Sequence, residues 1–375
     1  MSSKVYYTSF KATMHENLLQ KLHRLMKTAG FEQIDFDDKF TAIKIHFGEL
    51  GNLAFLRPNY AKVVADYVKE QGGRPFLTDC NTLYVGSRKN AIDHLETAML
   101  NGFGPATTGC HVIIADGLKG TDETIVPINC EYVKEAKIGH AIMDADVLIS
   151  LTHFKGHEMA GFGGAIKNLG MGSGSRAGKM EQHCDGKPSV QHPEQCIGCG
   201  ACTRICAHGA PVVKDGKASI DHTKCVGCGR CLAVCPKDAI EADFDDSIKM
   251  LNYRMAEYAY AVCKDRPTFH VSLICDVSPN CDCHSENDIP IIPNIGMLAS
   301  FDPVALDQAC ADLCNKMPVM PGSELDRNVK KLGATNPKVN TDRFYGAHPD
   351  TEWESCLEHA EAIGLGTREY ELKEI

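Results

Sequence analysis

The chain has 375 residues, of which 43 % are hydrophobic and 23 % are charged, a balance typical of a globular protein with a core of normal size. Its formal net charge of −10 argues against a nucleic-acid surface and suits a protein that meets small anions or redox partners. The first residues lack a signal-type apolar stretch, and no apolar run is long enough to span a membrane. We therefore expect a cytoplasmic protein of a reducing, anaerobic cell, with no nucleic-acid or membrane partner.

The first part of the chain alternates predicted helices with predicted strands. Apolar residues spaced three and four apart predict a helix over 14–29, which Gly30 ends. The next elements are a strand at 42–47, a helix from Pro58 to the glycines at 72–73, a strand at 75–79, a helix at 89–100, a strand at 111–116, a helix at 138–144 and a strand at 146–151. This alternation predicts an α/β layer with a largely parallel sheet.

Between residues 187 and 245 the pattern Cys-x2-Cys-x2-Cys-x3-Cys occurs twice, joined by a predicted hairpin at 214–217. In bacterial ferredoxins three cysteines of such a run bind one 4Fe-4S cluster and the fourth binds the other cluster. Zinc ribbons use Cys-x2-Cys pairs instead, so the duplicated quartet favours iron–sulfur clusters. We expect two 4Fe-4S clusters, the first held by Cys196, Cys199, Cys202 and Cys235 and the second by Cys225, Cys228, Cys231 and Cys206.

After the quartets the α/β pattern resumes. The predicted elements are a helix at 246–263, a strand at 268–277, a helix at 303–316 and a helix at 351–363. The simplest architecture is a two-halved, Rossmann-like α/β body with an inserted α+β ferredoxin domain. The corresponding limits are 1–186 for the first part of the body, 187–245 for the ferredoxin domain and 246–375 for the second part.

The segment 152–179 concentrates histidines, lysines and glycines directly after a predicted strand, where open α/β sheets bind ligands. Exposed backbone N–H groups and lysines can bind a carboxylate or phosphate, and a neutral imidazole can bind a metal or transfer a proton. We predict catalytic roles for His153, Lys155, His157 and Lys167, and ligand or cofactor binding by Gly163, Gly164, Asn168 and Lys179. The alternative is a flexible surface loop with scattered charges.

Two further polar loops follow predicted strands and are expected to face the same crevice. His46 and Glu49 belong to the first loop, and Asp79 and Asn81 belong to the second. We add His46 and Asp79 to the predicted cofactor-binding residues, because successive strand ends meet at one edge of a parallel sheet. Taken singly, each of these residues also suits a helix cap or a turn.

A second group of soft ligands is formed by Cys281, Cys283 and His284, which can bind zinc or iron. The local sequence supplies only three ligands, so the fourth would come from elsewhere. The residues considered for it are His46, Asp79, Cys80, His153 and His157. The alternative is a polar loop in which the reduced cysteines only pack.

With these stretches in hand, the chain resembles the domain-of-unknown-function family 362, in the branch that carries an inserted ferredoxin pair. The matching segments include KIHFGELGN, LTHFKGHEMAGFGGAIKNLGMG, both quartets and CDCHSENDIPIIPNIGMLASFDPVALDQA. The resemblance implies an iron–sulfur cluster-binding protein and leaves the activity undefined. The stretch HEMAGFGGAIKNL is also distantly similar to a loop of nickel-dependent lactate racemase-type enzymes, which is a hint about fold alone.

Three functions are compatible with this sequence. The first is an iron–sulfur oxidoreductase in which two 4Fe-4S clusters exchange electrons with a small anionic substrate in the α/β body. The second is an electron carrier or docking adaptor for a partner redox enzyme, and the third is a protein that handles metal or iron–sulfur clusters. An additional metal ion or a small anionic cofactor, and a homodimer, are left open by the sequence.

The crossed cysteine pattern gives the first testable prediction. Anaerobically prepared protein should hold about eight irons and eight acid-labile sulfides per chain. Replacing Cys206 by alanine should damage the cluster bound by Cys225, Cys228 and Cys231, because the fourth ligand is exchanged between the runs. Iron and sulfide analysis with electron paramagnetic resonance of the reduced protein measures this. Damage confined to the other cluster, or saturation at about four irons, would contradict it.

Overall fold

The computed structural model describes residues 2–83, 86–183, 187–242 and 248–375. The predicted limits of the inserted domain, at residue 186 and at residues 245 and 246, lie outside the described residues. No helix among the described residues has both the length and the apolar character that crossing a membrane requires.

The strands are short, as is usual in α/β proteins. In chain order they are β1 (Ser3–Ser9), β2 (Phe40–Lys44), β3 (Arg74–Asp79), β4 (His111–Ile114), β5 (Glu123–Pro127), β6 (Glu135–Gly139), β7 (Val147–His153), β8 (Lys155–His157), β9 (Gly161–Gly163), β10 (Pro188–Ser189), β11 (Pro211–Lys214), β12 (Lys217–Ile220), β13 (Glu241–Ala242), β14 (Thr268–Ile274), β15 (Gly296–Ser300) and β16 (Tyr370–Glu374).

The helices vary from single turns to four turns. In chain order they are α1 (Leu18–Thr28), α2 (Pro58–Glu70), α3 (Ala91–Leu100), α4 (Pro105–Thr108), α5 (His140–Asp144), α6 (Ala165–Ser173), α7 (Arg176–His183), α8 (Ala201–Ile205), α9 (Arg230–Ala233), α10 (Ile248–Cys263), α11 (Pro303–Asn315), α12 (Glu324–Leu332), α13 (Lys338–Thr341), α14 (Arg343–Ala347) and α15 (Glu354–Ala362).

Eight strands of the described part of the chain form one sheet, in the order β16-β1-β15-β14-β7-β2-β3-β4. The five strands β14, β7, β2, β3 and β4 run parallel to one another, whereas β15 is antiparallel to both β14 and β1. The prediction of an α/β fold with a largely parallel sheet is confirmed. Strands from before and after the quartets lie side by side, so the two parts of the chain build a single sheet.

Both faces of the sheet are covered, because successive side chains of a strand point to opposite faces. Ala42 and Leu148 pack in one apolar cluster with α6, α10 and α11, whereas Ile43 and Ile149 pack in another with α1 and α2. Uninterrupted burial along β7 is typical of a central strand in a parallel sheet. The molecule therefore has three layers, with helices on each side of the sheet.

The segment 152–179 is an ordered part of this fold, so the alternative of a flexible loop is wrong. It contains the end of β7, forms the β8–β9 hairpin and then forms α6 and the first half of α7. Its glycines allow close approach of backbones. A Cβ atom on Gly170 would lie 2.2 Å from the carbonyl oxygen of Met255 in α10, and one on Gly156 would lie 2.1 Å from that of Pro279.

Several helix boundaries differ from the sequence predictions, and the causes of two of these differences are visible in the structure. The first helix begins at Leu18 rather than at residue 14, because the Asn17 side chain accepts hydrogen bonds from the N–H groups of Leu19 and Gln20 and caps it. Residues 138 and 139, predicted as helix, end β6 instead, and their pairing with β5 overrides the local helical pattern.

The quartet segment forms the predicted hairpin, β11–β12, and two short helices, α8 and α9. Asp215 and Gly216 both have positive φ, as a two-residue hairpin turn requires. A third apolar cluster joins this segment to the α/β body through Leu83 and Met180, which pack with Cys231 and its neighbours.

The N-terminus of α6 gives a prediction on stability. The Asp307 carboxylate accepts hydrogen bonds from the N–H groups of Ala165 (2.7 Å) and Ile166 (2.9 Å), and a Cβ atom on Gly164 would lie 2.4 Å from it. Replacing Gly164 by alanine should displace this carboxylate and cost about 1–3 kcal/mol of unfolding free energy. The control is Gly104→Ala, where φ is 173° and no atom lies within 4 Å of the added Cβ. Equal thermal stability of the two variants would contradict the prediction.

Candidate functional site

A cavity of ≈ 60 Å³, which we call the crevice, lies at the carboxyl ends of the parallel strands. The strands β2, β3 and β7 end beside it at Lys44, Asp79 and His153. Since a water molecule needs about 10–15 Å³ of such space, the crevice has room for a few waters or a small oxyanion. The predicted site residues that line it are His46, Asp79, His153, Lys155, Gly163, Gly164, Lys167, Asn168, Lys179 and Cys283.

A buried ion pair forms the floor of the crevice. Lys44 Nζ lies 2.9 Å from Asp79 Oδ1 and donates a hydrogen bond of 2.9 Å to Asn168 Oδ1. Burial alone would raise the pKa of Asp79, but the ammonium of Lys44 holds it well below its usual value. The Asn168 amide donates to the carbonyl oxygens of Lys44 and Leu151, so its hydrogen bonds fix protein groups within the crevice.

The three other lysines of the crevice differ in their partners. Lys167 Nζ lies 3.4 Å from the sulfur of Cys281, whose thiolate charge raises the pKa of Lys167 against the effect of burial. Lys179 Nζ donates to the carbonyl oxygens of Gly174 (2.7 Å) and Gly172 (3.3 Å). Lys155 makes only long contacts among the described residues, 3.5 Å to the carbonyl oxygen of His153 and 3.9 Å to Asp282. Its ammonium therefore keeps donors for a ligand.

The imidazole of His153 is held on both sides. Its Nε2–H donates to the carbonyl oxygen of Cys275 at 2.6 Å, and Nδ1 lies 2.8 Å from the carboxylate of Asp282. Both nitrogens are thus engaged with protein groups. A proton shared along the His153–Asp282 contact fits this geometry better than direct metal ligation does.

His157 lies next to the crevice rather than in its lining. Its Nδ1 accepts hydrogen bonds from the N–H groups of Met159 (3.1 Å) and Ala160 (3.0 Å). The neutral ring therefore carries its proton on Nε2, which lies 3.6 Å from the carboxylate of Glu158. This arrangement orients a proton donor toward Glu158 and leaves no lone pair of the neutral ring free for a metal.

His46 and Arg88 also line the crevice. The His46 Nδ1 accepts from the N–H of Gly48, and its Nε2 lies 3.1 Å from Arg88 Nη1. Burial and the neighbouring guanidinium lower the pKa of His46 to about 3, so this imidazole is neutral at physiological pH. Arg88 is fixed by Glu49, whose Oε2 accepts from Nε at 3.0 Å.

The predicted soft-ligand group at 281–284 divides into two environments. Cys281 is buried beside Lys167, and a hydrogen bond from Cys283 together with that ammonium holds the pKa of its thiol well below the usual range. Cys283 and His284 instead face Glu158, and one ligand atom from each of these three residues lies within 4.8 Å of the other two. This group, Glu158–Cys283–His284, has the donor types of a metal site and contains Glu158 where Cys281 was predicted.

The eight quartet cysteines surround two small cavities, four around each. The first cavity is lined by Cys196, Cys199, Cys202 and Cys235, and the second is lined by Cys206, Cys225, Cys228 and Cys231. These are the two crossed sets that the ferredoxin pattern predicts. Each set offers four sulfur ligands around one cavity, which fits a cubane in number and type of donor.

The crevice and the quartet segment share a wall. Thr82 and Lys179 line the crevice, and the next residue of each, Leu83 and Met180, packs in the apolar cluster of the quartet segment. On the same side, a Cβ atom on Gly229 would lie 2.8 Å from the side chain of Arg176. An ion pair between Lys89 and Asp238 also joins the two parts.

Fold and site together define an α/β protein that has a cation-rich crevice at the carboxyl edge of its sheet and a cysteine-rich segment packed against that crevice. The chain matches the family described as Domain of unknown function (DUF362) over residues 41–312 and belongs to that family. Comparison with curated proteins finds no match.

Two solved structures are distantly similar to the chain. The lactate racemase apoprotein from Thermoanaerobacterium thermosaccharolyticum has 10 % identity and a TM-score of 0.39, and the match covers 72 % of this chain and 51 % of that one. A structural-genomics target from Thermotoga maritima has 12 % identity and a TM-score of 0.43, with coverage of 80 % and 58 %. The matched chain thus spans little more than half the length of either structure.

Sequence reasoning missed three charged residues of the site. Lys44 is the last residue of a strand, Arg88 lies beyond the 78–82 loop, and Glu158 lies between two predicted site residues. Lys44 could have been found because it is a lysine inside an apolar strand pattern. Burial of such a charge costs free energy unless a group of opposite charge lies nearby. No local signal marked Arg88, whose partners Glu49 and His46 are about forty residues away.

The buried ion pair gives a prediction on stability. Replacing Lys44 by methionine should cost about 3–5 kcal/mol, because it leaves the Asp79 carboxylate buried beside fewer positive charges. The control is Lys62→Met, which removes an exposed ion pair with Asp66 and should cost less than about 1 kcal/mol. Denaturant midpoints of the anaerobic proteins measure both changes.

The pH dependence provides a second readout of the same variant. The pKa of Asp79 is lowered in the folded protein, so its contribution is present above the pKa of an unfolded aspartate and is lost as the pH falls. The difference in midpoint between wild type and Lys44→Met should therefore shrink toward acid pH. A difference that stays constant or grows there would contradict the assigned pair.

Proposed function

We propose that this protein is an iron–sulfur oxidoreductase that holds two 4Fe-4S clusters and exchanges electrons with a small anionic substrate bound in the crevice. The observation that carries the proposal is the shared wall, in which Thr82–Leu83 and Lys179–Met180 reach both the crevice and the quartet segment. Residues adjacent in the chain thus contact both sites, and this contact supports direct electron exchange between a cluster and the crevice.

The cysteine sets support the cofactor part of the proposal. Cys196, Cys199, Cys202 and Cys235 would hold one cluster, and Cys206, Cys225, Cys228 and Cys231 would hold the other. Such clusters supply one electron each, and all-cysteine ferredoxin-type clusters commonly have potentials near −400 mV. The resulting domain is the inserted ferredoxin domain that the sequence predicts at 187–245.

The charges of the crevice support an anionic substrate. Five cationic side chains line it (Lys44, Arg88, Lys155, Lys167 and Lys179), whereas Asp79 is the only carboxylate among the described lining residues. Lys155 is the proposed anchor, because its buried ammonium has only long contacts with the protein. Gly163 leaves room for it, since a Cβ atom there would lie 2.8 Å from Nζ. A carboxylate or phosphate offsets the burial of such a charge.

The polar side chains around the anchor would support proton transfer that accompanies reduction. The His153–Asp282 contact can hold or release a proton at Nδ1, because Nε2–H is fixed by the carbonyl oxygen of Cys275. Lys167 keeps its proton beside Cys281, because that thiolate raises its pKa against the effect of burial, and so adds a fixed positive charge for a bound anion. Burial of these groups excludes bulk water and strengthens their electrostatic effect on a bound anion.

A second candidate function is an electron carrier for a partner enzyme, and one observation favours it. Each quartet exposes an apolar residue next to its first cysteine: Ile197 is 61 % exposed and Val226 is 58 % exposed. Cys199 is exposed as well. An apolar rim around a redox centre is suited to brief docking of a partner protein. As an oxidoreductase, the protein would use the same surface to receive electrons from its donor. Reaction of a substrate in the crevice therefore distinguishes the two functions.

The test begins with the natural ligand. Protein purified without oxygen is denatured, and mass spectrometry identifies any small anion that it releases. That anion is then added to dithionite-reduced protein from which excess reductant has been removed, and the visible absorbance of the clusters is followed. Re-oxidation of the clusters by the anion, with formation of its reduced product, is expected of the oxidoreductase.

Variants separate the crevice from the clusters. Lys155→Met and Lys167→Met should abolish re-oxidation by the anion while the iron content stays at the wild-type level. The control is Lys330→Met, which removes an exposed lysine paired with Asp326 and should behave as wild type. If reduced clusters pass electrons only to an added redox protein, and both crevice variants do so as fast as wild type, the electron-carrier function replaces the proposal.

A further inference from the structure

A group of three ligand-type side chains, of which Cys283 alone also lines the crevice, lies outside both quartets. The carboxylate of Glu158, the thiol of Cys283 and the imidazole of His284 each offer one ligand atom, and these atoms lie within 4.8 Å of one another. The His284 Nε2 lies 3.1 Å from Glu158 Oε1. Cysteine, histidine and glutamate are together a ligand set for zinc-type divalent ions rather than for magnesium or calcium.

A second observation at Glu158 points to a missing ligand. Its other carboxylate oxygen, Oε2, is buried and has no hydrogen-bond partner among the described residues. A buried, unpaired carboxylate oxygen is costly, because it has lost its hydration and gained nothing in return. A cation bound by this carboxylate would remove that cost.

The fold brings these residues together by a specific close contact. Strand β8 approaches the turn before Cys281 so closely that a Cβ atom on Gly156 would overlap the carbonyl oxygen of Pro279, and Gly156 N–H donates to the carbonyl oxygen of Ser278 at 2.9 Å. Glu158 follows β8 directly and is thereby held against the 281–284 turn. Residues 126 positions apart in sequence thus face one another.

The surroundings favour a site with open coordination positions. Glu158, Cys283 and His284 line a solvent-open cavity of ≈ 580 Å³, and Cys283 also lines the crevice. Zinc sites with three protein ligands and an open position are typical of catalysis, whereas structural sites are closed by four. The remaining nitrogen of His284, Nδ1, lies 3.4 Å from the carboxylate of Glu286, which would orient the ring as a carboxylate next to a metal-bound histidine does.

We infer that Glu158, Cys283 and His284 bind a divalent zinc-type ion whose open positions face the ≈ 580 Å³ cavity. The bound ion can take an oxygen atom of a small anionic ligand there. Cys281 is outside this ligand set, and its sulfur instead lies 3.4 Å from Lys167 Nζ. The inference does not depend on the clusters or on electron transfer.

The test uses anaerobic, cluster-loaded protein that has been treated with a mild chelator and dialysed against Zn²⁺. Elemental analysis measures zinc and iron in the same sample, and X-ray absorption at the zinc edge reports the neighbours of the ion without interference from iron. We expect one zinc per chain at unchanged iron content, with one sulfur neighbour near 2.3 Å and nitrogen or oxygen neighbours at about 2.0–2.2 Å.

Three variants, Glu158→Gln, Cys283→Ser and His284→Gln, should each lower zinc affinity at least about tenfold, since even changes to residues that only hydrogen-bond to a zinc ligand cost about 10–100-fold. The control is Cys130→Ser, which changes a partly buried cysteine of the 127–135 region and should bind zinc as wild type does. Three outcomes would overturn the inference: no retained zinc, zinc with four sulfur neighbours taken up as iron is lost, or variants that bind as tightly as wild type. Iron content alone reports on the clusters, so the two proposals fail separately.

Discussion

The crevice depends on one buried contact, in which the ammonium of Lys44 meets the carboxylate of Asp79 and the amide of Asn168. This contact joins the ends of two parallel strands to the helix that crosses above them. Each charge is tolerated in the interior because the other is present. The contact therefore fixes where α6 lies over the sheet, and α6 in turn carries Lys167 to the sulfur of Cys281.

The fold could be predicted from the sequence to the extent that it rests on local periodicity. Apolar runs bounded by glycine and proline identified the central parallel strands. Pro58 and Asp302–Pro303 predicted where α2 and α11 begin. Strand β1 and the edge strand β16, which pair with each other, were missed, because half-exposed strands with mixed side chains have no strong pattern of their own. The glycines of 152–179 were taken as a sign of ligand contact or flexibility, whereas several of them serve helix packing.

The site was predictable where chemistry is concentrated in one stretch and unpredictable where it is assembled from distant residues. The lysines at 155, 167 and 179 line one cavity, as expected for residues that follow a strand of an open sheet. The roles of Arg88 and Glu158 depend on contacts with residues far away in sequence, and the sequence does not show which residues these are. The division of 281–284 into Cys281, which contacts Lys167, and the pair Cys283 and His284, which faces Glu158, likewise depends on where β8 approaches the turn.

The apolar contact between the quartet segment and the body has a consequence for how such a protein can change over evolutionary time. One apolar cluster buries Leu83 and Met180 of the body together with Leu232 and Ile240 of the quartet segment. Removal of the segment would therefore expose an apolar patch directly beside the crevice. A gene that lost the segment would need compensating polar substitutions at positions 83 and 180 to keep its product from aggregating. The segment therefore cannot be gained or lost by itself. Its gain or loss has to be accompanied by substitutions in the surface of the α/β body that it covers.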